Sequence, residues 1–258
     1  MRGLDGKVSL IAGAAPGNIG GATAHRLSSE GARVVVSDIN EDAARALAEQ
    51  IVAEGGDAVA IQVDLSSEQS VVGMMKFAVD SFGGVDHLFN VAADLSPATI
   101  GADSSHNVLD LPIEVWSRTI DVTLTGYMYT IRHAMPLMIE RGGGSIVNTM
   151  SAAVWMAEPV RASYSAAKSG VEALTRHVAR VGGRQGVRCN AVAPGTVLTE
   201  ALLRTLPEEI QRRQLEEIPS TRLGKPEDIA AAVAFLFSDD GEWVNGQALS
   251  IDGGLIMR

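Results

Sequence analysis

Short β-branched runs alternate along the whole chain with longer stretches whose apolar residues recur every three or four positions. Val8–Ala12, Arg33–Asp38, Val59–Val63, His87–Val91, Ser145–Thr149, Arg188–Val192 and Ala248–Asp252 read as strands. Most are continuous apolar runs, the pattern of strands buried on both faces. Helical periodicity fills the gaps. Gly20–Ser29 is the first such stretch, and Glu41–Glu54 places Ala44, Leu47, Ala48 and Ile51 on one face. In Ser67–Phe82 the stripe is Val71, Met75, Ala78 and Phe82. Ile113–Arg141 reads as one long helix despite Pro136, and helices around Tyr164 and over Pro226–Phe237 follow. Seven strands separated by helices predict an α/β fold: one doubly wound, seven-stranded parallel sheet with helices on both faces, a single domain over residues 1–258.

Composition narrows the partners. The net charge of −10 argues against a nucleic-acid groove or an anionic membrane surface, both of which select basic patches. The longest uninterrupted apolar run, Ile229–Phe237, is too short to span a bilayer, and Asp5 and Lys7 interrupt the place where a secretory signal needs its apolar centre. The single cysteine, Cys189, fits a reducing compartment, so a cytoplasmic protein is expected. The five histidines fall at no ligand-like spacing, and no metal site is predicted.

Two stretches carry candidate chemistry. Directly after the first strand comes AGAAPGNIGG, residues 12–21, in which a glycine turn opens a helix. Such a turn lets backbone N–H groups approach a pyrophosphate. Asp38 ends the second strand, where a carboxylate can accept both ribose hydroxyls of an adenosine and repel a 2′-phosphate. The residues after it, Ile39 and Asn40, offer no cation to rescue that phosphate, so NAD is expected over NADP. The alternative reading of Asp38 is a cap for the helix near Glu41. The second stretch ends in Tyr164-Ser-Ala-Ala-Lys168. Four residues of helix advance about 6 Å and turn through roughly 40°, so phenol and ammonium rise from one face. Lowering a phenol from a pKa of about 10 to about 7 takes roughly 4 kcal/mol, which one cation at ~4 Å and effective ε ~20 supplies.

Together these motifs make the chain resemble the short-chain dehydrogenase/reductase family, over nearly all 258 residues. Its glycine motif looks like Gly13, Gly17 and Gly20, with Asn18 as one extra loop residue before Ile19. Asp64-Leu65 matches the acid expected at the adenine, and Asn90-Val91-Ala92-Ala93 matches an Asn-Asn-Ala-Gly run. A family serine lies thirteen residues before the tyrosine, as Ser151 does here. Pro194-Gly195-Thr196-Val197-Leu198-Thr199 resembles the family's Pro-Gly-x-x-x-Thr loop. The chain departs from the family at Ala12, usually Thr, and at Thr123, usually a catalytic Asn.

The resemblance implies a Rossmann-type fold and hydride transfer between nicotinamide and a carbinol or carbonyl carbon. Tyr164 would be general acid/base, Lys168 would lower its pKa and hold the nicotinamide ribose, and Ser151 would hydrogen-bond the substrate oxygen. Gly13, Gly17, Asn18, Ile19, Asp38, Asp64, Leu65, Asn90, Ala92, Pro194, Gly195, Val197 and Thr199 would join Tyr164 and Lys168 in holding the cofactor. Thr123 is the candidate substitute in a proton path that leaves Lys168 through water.

Three segments are expected to wall the substrate pocket. Asp94–Pro112, rich in Ser and Asp, is expected to be mobile or to form a lid. Ala152–Arg161 carries Val154, Trp155 and Met156, which favours an apolar alcohol or ketone such as a steroid or terpenoid. The region of about 198–220 reads as a helical flap whose leucines face the core. The expected function is an NAD-dependent secondary-alcohol dehydrogenase. A ketoacyl-type reductase using NADPH is a second reading, and an NAD-sensing protein with impaired chemistry a third. The resemblance also implies a homotetramer, with the Ile113–Arg141 and Tyr164 helices pairing with their copies.

Overall fold

The structure is a computed structural model that describes residues 1–257. Its strands are β1 (Val8–Ala12), β2 (Arg33–Asp38), β3 (Asp57–Gln62), β4 (His87–Asn90), β5 (Gly144–Thr149), β6 (Val187–Pro194) and β7 (Ala248–Ile251). They form one sheet in the order β3-β2-β1-β4-β5-β6-β7. Every pairing is parallel, as the apolar runs predicted. Strand residues alternate between faces: Val34 and Val36 of β2 pack in one apolar cluster, Val35 in the other. The first face is covered by α1 (Ile19–Ser29), α2 (Glu41–Ala53) and α9 (Pro226–Phe237). The second is covered by α3 (Glu68–Phe82), α5 (Gly126–Glu140) and α6 (Ala162–Gly182). No helix among the described residues is long and apolar enough to cross a membrane.

Three predicted elements are corrected. The third strand begins at Asp57 and stops at Gln62; Val63 lies beyond it, its N–H donating to Asp38 O (2.9 Å). The long helix is continuous from Ile113 to Glu140 but carries a π-type turn at Asp121–Thr125, between the segments α4 (Ile113–Ile120) and α5. Pro136 sits on the exposed side of α5, where the carbonyl it leaves unpaired can reach water. The 198–220 flap is two short helices, α7 (Glu200–Thr205) and α8 (Glu208–Glu216), and neither contains a buried residue. Its leucines therefore do not face the core; Leu203 is more than half exposed.

Beneath the carboxyl ends of the central strands runs a buried polar ladder. Thr130 Oγ1 of α5 donates to Asn90 Oδ1 of β4 (2.7 Å), and Asn90 Nδ2 donates to Asn148 Oδ1 of β5 (2.9 Å). Asn148 Nδ2 in turn donates to Thr175 Oγ1 of α6 (3.0 Å). All four side chains are buried, and the ladder satisfies both amides while tying α5 to α6 through two strands.

Candidate active site

The strand order reverses between β1 and β4, and a cleft of about 540 Å³ opens outside their carboxyl ends. Such a switch point is where doubly wound sheets bind ligands. Gly13 takes φ +108°, and a Cβ there would lie 2.6 Å from the Ala92 backbone, so the glycine permits the close approach of the two strand ends. At Ala12 the strand ends are joined by backbone alone: the Ala12 carbonyl accepts from Val91 N (3.0 Å) and Ala92 N (2.9 Å). Asn18 organises the glycine turn. It is the N-cap of α1, with Oδ1 accepting from Gly21 N (2.7 Å) and Ala15 N (3.2 Å) while Nδ2 donates to Gly13 O (3.3 Å).

Asp38 lines the cleft opposite the turn. It is not the cap of α2, because Asn40 fills that role through Ala43 N (3.1 Å). Burial pushes the Asp38 carboxyl up, and hydrogen bonds from the Asn40 and Ile39 backbone pull it back. Asp64, Leu65, Ala92 and Thr199 line the same cleft. Thr199 Oγ1 caps α7 by accepting from Leu202 N (3.2 Å), and Glu200 N donates to Gly17 O (3.0 Å) across the glycine turn. Val197 is bridged to Gly224 in the loop that Pro194 and Gly195 begin. Asn90, expected at the cofactor, has its side chain engaged in the polar ladder under the cleft.

Helix α6 brings Tyr164 and Lys168 beside Ser151, which ends β5's exit turn. The Ser151 and Tyr164 hydroxyls are hydrogen-bonded, which lowers the Tyr164 pKa, while the larger effect of burial raises it. Lys168 is buried; its Nζ donates to Thr149 O (2.7 Å) and to Tyr127 Oη (3.3 Å) and lies 5.8 Å from the Tyr164 ring centre. Burial pulls the Lys168 ammonium down to about 7. Thr123, in the π-type turn, is fully buried, and its hydroxyl has no protein hydrogen-bond partner.

A family model described as "Enoyl-(Acyl carrier protein) reductase" matches residues 13–256. An uncharacterized oxidoreductase of Mycobacterium tuberculosis is 41% identical over 255 residues, covering 99% of both chains. The 2,5-dichloro-2,5-cyclohexadiene-1,4-diol dehydrogenase of Sphingobium indicum is 36% identical over 97% of this chain and 96% of its own. A solved 7α-hydroxysteroid dehydrogenase, complexed with NADH and 7-oxo glycochenodeoxycholic acid, superposes with a TM-score of 0.90 at 35% identity. That match covers 100% of this chain and 96% of the other. The chain is a short-chain dehydrogenase/reductase.

Sequence reasoning missed two residues of this dehydrogenase/reductase. Tyr127 is one, since a tyrosine in an apolar helix reads as core. The other is Asp103. The segment Asp94–Pro112 was expected to be mobile or lid-like, but Asp103 anchors it. Its carboxylate, fully buried, accepts from Ser163 Oγ (2.6 Å), Tyr164 N (2.9 Å) and Ser163 N (3.3 Å). Its backbone carbonyl accepts from Arg161 N (2.9 Å). Arg161, the residue before α6, has φ +62° and offers no side-chain cap, so Asp103 caps the helix of Tyr164 from 61 positions away. Asp103→Ala removes that cap and leaves buried donors unpaired, a loss of about 2 kcal/mol. The expected melting temperature falls by roughly 4–8 °C. Turnover should fall about tenfold by displacement of Tyr164, while Asp103→Asn keeps most of both; calorimetry and steady-state rates check it, and equal losses in the two variants would refute the cap.

Proposed function

We propose that the chain is an NAD-dependent dehydrogenase that interconverts a secondary alcohol and a ketone, acting on an apolar substrate whose carbinol lies on a ring. The carrying observation is the convergence of Ser151, Tyr164 and Lys168 beside a switch-point cleft whose Asp38 is free of capping duty. Ring carbinols are the common element in the names of the hydroxysteroid and cyclohexadiene-diol relatives. Trp155 and Met156 support an apolar wall, although Trp155 also packs against the core.

The cleft fits NAD: a carboxylate for the ribose diol, a glycine turn under a helix start, and Thr199 in its lining. When bound, NAD supplies the hydride acceptor at nicotinamide C4. The protein does the proton chemistry. Tyr164 takes the alcohol proton in oxidation and returns it in ketone reduction. Ser151 hydrogen-bonds the substrate oxygen and supports the charge that develops on it. Lys168 stabilises the phenolate and passes the proton toward solvent. The unpartnered Thr123 hydroxyl suits an ordered water on that path. Thr123→Asn, which offers two donors where Thr has one, should keep or raise turnover; a collapse with the fold intact would remove Thr123 from the path.

A panel of ring and open-chain secondary alcohols and ketones, assayed with both NAD(H) and NADP(H), tests the reading. No absorbance change with any pair would leave the impaired NAD-sensing alternative. A cytoplasmic homotetramer accompanies the proposal, and a monomer in sedimentation at micromolar concentration would count against the assembly.

A further inference from the structure

Among the described residues, no carboxylate forms an ion pair with the buried Lys168. A lysine ammonium has three donors and no acceptor, so each donor needs a partner once water is gone. Two donors go to Thr149 O (2.7 Å) on β5 and Tyr127 Oη (3.3 Å) on α5. Tyr127 has no exposed surface and Lys168 about 1%. The Tyr127 hydroxyl proton is committed to Ala92 O (2.9 Å), so its oxygen faces Lys168 as an acceptor only. Ala92 itself lines the cofactor cleft. The π-type turn at Asp121–Thr125 adds one residue to the helical path, which turns everything after it by about 100° and sets the face on which Tyr127 lies.

We propose that Tyr127 is the positioning residue of Lys168: its hydroxyl fixes one ammonium donor, Thr149 fixes another, and the third is left for the Tyr164 side of the site. The inference rests on the reading of Lys168 as the partner of Tyr164. Tyr127 passes no proton, since its own hydrogen ends on a carbonyl. Its oxygen instead favours the charged form of a lysine that burial drives toward neutrality. The titratable groups facing Lys168 are the two phenols, Tyr127 and Tyr164, with ring centres 5.1 and 5.8 Å from Nζ; β5 contributes only the Thr149 carbonyl. Burial holds Tyr127 far above the ordinary phenol value, so it stays neutral.

The test is Tyr127→Phe, which keeps the ring over the ammonium and removes only the hydroxyl. The chain has four lysines, at 7, 76, 168 and 225, of which Lys168 alone is buried. A ¹⁵N-lysine NMR titration therefore resolves it, assigned by its loss in Lys168→Arg. The expected result is a Lys168 midpoint lowered by at least one pH unit, with kcat/KM for alcohol oxidation down about tenfold. Melting temperature should fall by a few degrees, since the Ala92 carbonyl and one Lys168 donor lose their partner, while NADH affinity stays near wild type. An unchanged midpoint in folded Tyr127→Phe overturns the proposal. Should that variant misfold, site-specific 3-fluorotyrosine at 127, a weaker acceptor, must lower the midpoint by a smaller amount, and no shift there also overturns it. The titration needs no substrate. A shifted midpoint in an enzyme that oxidises no alcohol would sink the proposed function and leave this inference standing; an active enzyme with an unmoved midpoint would do the reverse.

Discussion

Tyr164→Phe is expected to retain no more than about one part in 10³ of wild-type turnover while binding NADH with unchanged affinity. General acid/base groups contribute roughly 10²–10⁴ in rate, and no neighbouring group can take over here. Ser151 has no base of its own, and Lys168 Nζ is directed to Thr149 O and Tyr127 Oη. The ring and its packing survive the substitution, so a loss of cofactor affinity would point to misfolding rather than chemistry. Stopped-flow or steady-state rates with fluorescence titration of NADH measure both. Near-normal turnover would end the assignment. In the wild type, burial places the Tyr164 phenol above its ordinary value. Oxidation should therefore quicken as pH rises, because it needs the deprotonated base, and ketone reduction should slow over the same range.

The second large effect concerns cofactor choice. Asp38 faces the cleft, and its neighbour Ile39 is 55% exposed with no cation beside it. A carboxylate at ~4 Å from a 2′-phosphate costs up to about 4 kcal/mol per unit charge at effective ε ~20. Partial hydration takes back part of that, leaving an expected preference for NAD over NADP of at least about 100-fold in kcat/KM. Asp38→Ser should reduce the ratio by lowering NAD efficiency and raising NADP efficiency together, and Asp38→Ser with Ile39→Arg should reverse it. Equal use of both cofactors by the wild type would show that Asp38 does not meet the ribose.

Much of the fold was legible because strands buried on both faces must be apolar throughout. Val34, Val35 and Val36 announce β2 without any tertiary information. Tyr164 and Lys168 could be paired from spacing because they share one helix face, whereas Ser151 came only through the family resemblance. What stayed hidden depends on partners far away in sequence. Asp103 looked like one more polar loop residue, since its helix end lies 60 positions on at Ser163. Tyr127 looked like core until its hydroxyl met a lysine 41 positions away. The π-type turn left no periodic trace, because one extra residue shifts an apolar stripe without interrupting it. The structural role of the Asn90 side chain was hidden for a related reason: a polar residue at a strand end suits a ligand contact or a strut equally well, and the partners of its buried amide lie 40 and 58 positions away.

The ladder from Thr130 to Thr175 passes through no loop. Each rung is directional, so α5 and α6 are held in one register, whereas an apolar replacement of similar packing could slide. The segments expected to wall the substrate side, Asp94–Pro112 and the 198–220 region, contribute no rung to that frame. On the proposed function, proton chemistry and substrate choice would then be stored in largely separate parts of the fold, joined through Asp103. A lineage could exchange either wall wholesale and inherit the Tyr127, Tyr164 and Lys168 geometry intact, provided that any new first wall still carries a carboxylate to the head of α6.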